Sequence, residues 1–195
     1  AIINLIPLQP DEKITAMIPI KDYEKDKYLF MATKNGIVKK TAISEFENIR
    51  SNGKIAITLK ENDELIFVSS ENYQDIFVTT YRGYGLWYEV AEIPFTGPKG
   101  SGVKSINLKD DYVVGTSLFD GKSEYLTVLT KKNTAKRVKL TEFDKMSRAR
   151  RGIQIVRDVK TNPYYILNTF VLPSKSEIYL KTKDDIVMKK LTEFK

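Results

Sequence analysis

Tyrosine is the side chain in this sequence that most invites a chemical reading, since eleven of the 195 residues are tyrosines. A tyrosine nucleophile needs an activating base or a metal beside it. The chain has no histidine and no cysteine. The commonest general base and the commonest metal ligand are therefore both missing, along with disulfides and thiolate sites. Carboxylates cluster in Lys-Glu-Asn-Asp-Glu at 60–64 and in Leu-Lys-Asp-Asp at 108–111. Paired acids of this kind could hold a metal. Both clusters, however, fall at the same point of a repeating pattern, between strands, where solvated turns are expected. Gly-Pro-Lys-Gly-Ser-Gly at 97–102 is rich in glycine but lacks the Lys-Ser/Thr and the following helix of a phosphate-binding loop. It reads as a flexible turn. No catalytic residue, metal site or cofactor is expected, and the tyrosines read as strand and rim residues.

The cations carry more information. The formal net charge is +7, and the segment 131–151 holds nine basic against two acidic residues, an excess equal to that of the whole chain. Basic residues also recur in position. Lys39 and Lys40, Lys136, Arg137 and Lys139, and Lys189 and Lys190 fall on corresponding strands. Arg50 and Lys54, Lys99 and Lys104, and Arg148, Arg150 and Arg151 fall in or beside the corresponding loops. Repetition along the chain places such residues at repeated steps around an array. A rim of this kind neutralises phosphates along a curved path without reading bases. Lysines on edge strands also block aggregation, which accounts for Lys39 and Lys40. It accounts less well for three arginines flanking Gly152, because the planar guanidinium suits phosphate.

The elements that must position these residues repeat every 50 residues or so. Phe46, Phe95, Phe143 and Phe194 recur, as do Ile37, Leu86, Ala135 and Ile186, and Gly53, Gly102 and Gly152. Each repeat reads as four short strands rich in β-branched and aromatic residues. They are 14–20, 28–33, 37–42 and 54–59 in the first, then 65–70, 75–80, 86–91 and 103–108. The third has 112–119, 125–130, 135–140 and 153–158, and the fourth has 165–172, 177–182 and 186–191. Lys34-Asn35-Gly36 is the strongest hairpin turn, because Asn-Gly supplies positive φ angles. The repeats are placed at 14–64, 65–111, 112–163 and 164–195, with 1–13 as the end of a preceding one. Four strands per repeat predict an all-β, propeller-like partial disc. A solenoid of helix pairs would need a 3.6-residue periodicity that is missing. At most a turn is expected near Leu140–Lys145.

No apolar run approaches the ~20 residues that span a bilayer. The start shows no signal peptide and no Met, so the chain reads as an excised fragment of a cytoplasmic protein. Two other classes fit an all-β array: a scaffold binding a protein partner, and an enzyme with a carboxylate or lysine site in a central channel. No polar cluster recurs in a way that favours the second.

Residues 1–46, Gly53–Ile66, Thr96–Asp111 and Ser147–Val156 resemble the C-terminal domain of the A subunits of bacterial type IIA topoisomerases, DNA gyrase and topoisomerase IV. Met31-Ala-Thr-Lys-Asn-Gly-Ile-Val-Lys-Lys-Thr41 is the most specific stretch. The resemblance implies a β-pinwheel, in which neighbouring blades exchange strands and a basic perimeter bends duplex DNA. It also implies partners: double-stranded DNA, the ATPase B subunit, and the rest of the A subunit. The cleavage tyrosine of the family lies in another domain. The Gln-Arg-Arg-Gly-Gly-Lys-Gly box of gyrases does not occur here, and Ser147–Gly152 stands at the corresponding loop of a later repeat. The run 148–166 is more similar to topoisomerase IV than to gyrase.

Overall fold

The computed structural model describes residues 8, 10–24, 26–50, 53–157 and 159–194. Among them the regular elements are short strands and single 3-10 turns. Strands β1 (Tyr28–Thr33) and β2 (Ile37–Ala42) form the expected hairpin, with Gly36 at φ +74° in its turn. β4 (Asp75–Thr80) and β5 (Tyr84–Glu89) repeat it around Gly83 at φ +87°, and β8 (Tyr125–Thr130) and β9 (Ala135–Lys139) around Asn133 at φ +58°. Glycine and asparagine tolerate this left-handed conformation, which a tight turn requires. β12 (Glu177–Lys181) and β13 (Ile186–Lys190) form the last hairpin.

The remaining strands do not pair within their own repeat. β3 (Leu65–Ser69) and β6 (Val103–Lys104) flank the β1–β2 hairpin, giving the order β3-β1-β2-β6. β7 (Val113–Phe119) and β10 (Ile153–Gln154) flank β4–β5 in the same way, and β11 (Ile166–Val171) pairs with β8. The first two sheets are thus completed, and the third extended, by strands from the following repeat. That exchange explains two failed expectations. Residues 14–20 and 54–59 form no strand. By the pattern of β3 and β6, each would pair with a hairpin of a preceding repeat, and no such hairpin is found among the described residues. An unpaired strand lacks the ladder hydrogen bonds that hold extended backbone.

The sheets pack face on face. Phe30, Ile76, Leu86, Tyr88 and Ile106 fill one core; Phe77, Leu126, Val128 and Ile166 fill the next. Each such side chain contributes about 1.5–3 kcal/mol on burial. β7 and β11 meet directly: Thr169 Oγ1 donates to Thr79 Oγ1 of β4 at 2.9 Å, and the Val171 N–H donates to Ser117 Oγ at 3.0 Å. A Cβ on Gly115 would lie 2.3 Å from Thr169 Oγ1, so the contact needs glycine. The β7 and β11 edges therefore face inward, and β6 and β10 form the opposite, outer edges.

The structure also corrects the alignment of the repeats. Ile43, Val90, Leu140 and Leu191 open equivalent 3-10 turns, each donating its N–H to the strand approach before its hairpin (Lys27, Gln74, Glu124 and Ser176 O). Counted from these, the equivalents of Phe46 are Ile93, Phe143 and Phe194. Phe95 lies two residues further on and is 58 % exposed, whereas Ile93 is 1 % exposed.

Candidate nucleic-acid interface

Two of the expected rim cations lie inside the protein. Lys39 and Lys40 on β2 are buried. The Lys39 ammonium donates to the carbonyls of Ala56 at 2.6 Å and Pro98 at 2.5 Å. Lys40 donates to the Val90 carbonyl at 3.1 Å and lies 4.7 Å from the centroid of the Phe95 ring and 5.3 Å from that of Tyr28. Burial pushes both ammonium groups below the ordinary lysine pKa. Assigning them to the rim is corrected on this basis: both faces of β2 are covered at these positions, by Ala56 and the 97–102 loop over Lys39 and by Val90 and Phe95 over Lys40. Lys39 instead pins the 97–102 loop, which the sequence suggested was a flexible turn.

That loop and its equivalent, 147–152, each lead into an outer edge strand through a glycine with positive φ, Gly102 at +88° and Gly152 at +79°. Lys99 and Lys104 are exposed there. In the second loop the three arginines divide. Arg148 donates through Nε to Glu92 O and through a terminal nitrogen to Lys104 O. Arg151 donates to Asn107 O at 3.1 Å and to Leu108 O, and its guanidinium lies 3.8 Å from the Tyr84 centroid. Both staple the loop to the preceding outer segment. Arg150 is exposed, and its Nε reaches only Ser147 Oγ at 3.3 Å, within its own loop.

The other candidates also separate. Lys136 and Lys139 are exposed on β9, the outer strand of the third sheet. Arg137 is half-buried, stacked 4.6 Å from the Tyr125 centroid and donating to Phe194 O at 2.8 Å. Lys189 pairs with Glu193 at 3.2 Å, while Lys190 is exposed on β13. Arg50 is exposed, and the Lys54 ammonium is held by Glu45 O. Of the expected cations, those open to solvent with no partner outside their own loop are therefore Arg50, Lys99, Lys104, Lys136, Lys139, Arg150 and Lys190.

The carboxylate clusters act as turn braces. Asp63 Oδ1 accepts from the N–H groups of Asn35 and Glu64, and Asp111 Oδ1 from those of Arg82 and Tyr112. Each tethers a hairpin turn to the next unit. Three tyrosines join the same edge: Tyr81 stacks between Tyr112 at 4.8 Å and Tyr165 at 4.4 Å. Tyr88 is buried, its hydroxyl 2.7 Å from Ser105 Oγ, and burial pushes its pKa up. No group of three or more acidic residues is placed to hold a metal among the described residues. No helix among them is long and apolar enough to cross a membrane. Sequence reasoning missed Arg82, Arg157 and Lys160, which line an open groove beside β10. Arg157 lies in the expected strand 153–158, but the matching residue of the preceding repeat is Asn107, so recurring charge did not mark it.

The sequence matches a family described as DNA gyrase C-terminal domain, beta-propeller, over residues 27–70, 74–120 and 124–172. It is 39 % identical over 183 residues to the A subunit of DNA topoisomerase 4 of Bacillus subtilis, covering 92 % of this chain and 23 % of that protein. It is 35 % identical over 180 residues to the protein of the same name in Staphylococcus epidermidis, covering 91 % of this chain and 22 % of that one. The chain thus spans under a quarter of the length of these relatives. Among solved structures, the C-terminal domain of DNA topoisomerase IV superposes with a TM-score of 0.92 at 36 % identity, covering all of this chain and 61 % of that one. The DNA gyrase A C-terminal domain shares the fold, with a TM-score of 0.77 at 19 % identity over 91 % of this chain and 60 % of that one. With strand exchange, outer basic loops and this match over most of its length, the chain belongs to the DNA gyrase C-terminal domain family of β-propellers, and it is the corresponding domain from the A subunit of a type IIA topoisomerase.

Proposed function

We propose that the chain is a non-catalytic DNA-binding and DNA-bending domain from the A subunit of a topoisomerase IV, holding duplex along its outer edge. The observation that carries this is the placement of exposed cations on that edge in successive sheets: Lys99 and Lys104 before and on β6, Arg150 before β10, Lys136 and Lys139 on β9. Cations at repeated steps along a convex edge contact phosphates on a curved path, and a duplex following them must bend. The hydrogen bonds that pin the two loops hold this array in place, so little ordering entropy opposes binding. Cleavage and ATP chemistry belong, in this reading, to the B subunit and to the rest of the A subunit. The likeness to the A subunit of DNA topoisomerase 4 supports topoisomerase IV over gyrase.

The test is duplex affinity as a function of salt, on two duplexes of unrelated sequence. Counterion release predicts linear log–log plots with steep, equal slopes. Cyclisation of short duplexes checks bending: the protein should raise the rate of ring closure. A flat salt response, or affinity confined to one sequence, overturns the proposal in favour of a protein-binding scaffold.

A further inference from the structure

Several cations of this protein are held by carboxylates or carbonyls. Lys34 pairs with Glu64, Lys145 with Asp75 and Glu89, and Lys132 donates to Asn162 O. Arg82, Arg157 and Lys160 differ. All three line one groove of about 390 Å³ beside β10. Among the described residues none of the three has a carboxylate within 4.0 Å. The three like charges line one concavity, which concentrates their field on whatever anion enters.

The groove walls say what kind of anion fits. Each of its aromatic rings has one face covered: Arg151 lies over Tyr84, Lys132 over Tyr164 at 3.8 Å, and Tyr81 over Tyr165. Bases would find few free faces to stack on, so a single strand read through its bases is disfavoured. Unengaged guanidinium and ammonium donors favour phosphate oxygens. The groove is also continuous with the outer edge, because Arg151 and Gln154, just before and on β10, form one of its walls.

We infer that the groove formed by Arg82, Arg157 and Lys160 takes the phosphodiester backbone of duplex DNA as it leaves the outer edge, a second contact surface beside the rim. The inference rests on the DNA-binding reading above. It makes the hairpin-turn end of the second sheet part of the DNA path. It also requires sequence-independent contact, because only phosphates are engaged.

The experiment compares the chain with Arg82→Gln/Arg157→Gln/Lys160→Gln, measuring duplex affinity across salt concentrations. Loss of two to three phosphate contacts should lower the log–log slope by roughly two to three. The chain has no cysteine, so Lys160→Cys offers a unique site for a tethered DNA-cleaving iron chelate, and this variant does not depend on the triple variant folding. Cleavage of bound duplex from that position is expected, as from a matched Lys104→Cys label on the rim. If the chain binds duplex steeply but the triple variant keeps the full slope, the groove inference falls and the DNA-binding reading stands. Cleavage from the Lys104 label alone has the same meaning, and leaves the groove to an acidic protein partner. If the unaltered chain shows no salt-dependent affinity, the DNA-binding reading fails and the inference fails with it.

Discussion

The ammonium of Lys145 lies 5.4 Å from the centroid of the Trp87 ring and 2.8 Å from the Asp75 carboxylate, to which the Trp87 indole N–H also donates at 3.0 Å. The first sheet has the same arrangement with the roles exchanged. There the strand carries the cation, Lys40, and the loop carries the ring, Phe95. Counted from Val90 and Leu140, Phe95 and Lys145 are equivalent positions, and the strand pairings make Lys40 and Trp87 equivalent. A cation–ring contact thus ties the exits of the 3-10 turns at Val90 and Leu140 to β2 and β5 of the preceding repeats, whichever partner supplies the charge.

Replacing Lys145 with Met should leave the Asp75 carboxylate, whose side chain is 11 % exposed, with the indole as its side-chain partner. Breaking a fully buried pair costs ~3–5 kcal/mol. Lys145 is 38 % exposed, so solvent screening reduces the expected loss to about 1 kcal/mol. Urea denaturation measures the loss, and Trp87, the single tryptophan, should shift its emission. The Asp75 hydrogen bond, with help from Glu89, holds the Lys145 ammonium above its ordinary pKa. Its stabilisation is present below pH ~10.5 and is lost as pH rises through the folded-state value.

Arg148, Arg150 and Arg151 should not behave as a set. Arg150→Ala should lower the salt slope of duplex binding by about one unit and change stability by less than about 0.5 kcal/mol. Arg148→Ala and Arg151→Ala each remove donors from backbone carbonyls that water can still reach, and should cost roughly 0.5–1.5 kcal/mol. Parallel denaturation and binding titrations on the three single variants separate these roles. Equal stability in all three would mean that the staples seen for Arg148 and Arg151 contribute nothing.

Gly152→Ala should detach the outer edge strand of the second sheet. An added Cβ would lie 2.2 Å from the Gly85 carbonyl oxygen, at a φ of +79°. Gly102→Ala meets the Val38 carbonyl oxygen at 2.5 Å in the first sheet. Backbone cannot yield as a side-chain tip does, and strained positive-φ sites alone cost of order 1–3 kcal/mol. Faster amide exchange in β10 and β5 for the first variant, and in β6 and β2 for the second, is the expected readout. Gly121→Ala, where nothing lies within 4 Å, is the control.

Lys39 provides a test at alkaline pH. Burial lowers its folded-state pKa below 10.5, so the native protein loses this proton before the unfolded chain does. Between those two values the unfolded state binds more protons, and the Lys39 contribution to stability rises with pH. Lys39→Met removes that titration. The stability of the unaltered protein relative to the variant should therefore increase as pH rises from neutral toward 10.5. A constant difference would place the ammonium in solvent.

Local pattern determined much of this protein. Asn-Gly at 35–36 and the β-branched runs marked the hairpins, with β1, β2, β4 and β8 at the bounds expected, because hairpins are built from contiguous residues and need only a turn and two alternating segments. The missing histidines and cysteines narrowed the chemistry, and the repeating cations pointed to an outer edge. The tertiary structure decided the rest. Which strand completes a sheet depends on partners far along the chain, and β6 reads the same whether it joins β2 or β5. The slip between Phe95 and Ile93 was invisible in the sequence, because both are large apolar residues in the segment after the 3-10 turn, and only packing decides which of them is buried. The roles of Lys39, Arg148 and Arg151 were hidden for a related reason. A cation's identity shows that it can bind phosphate, but only the carbonyls packed around it decide whether its donors are already engaged.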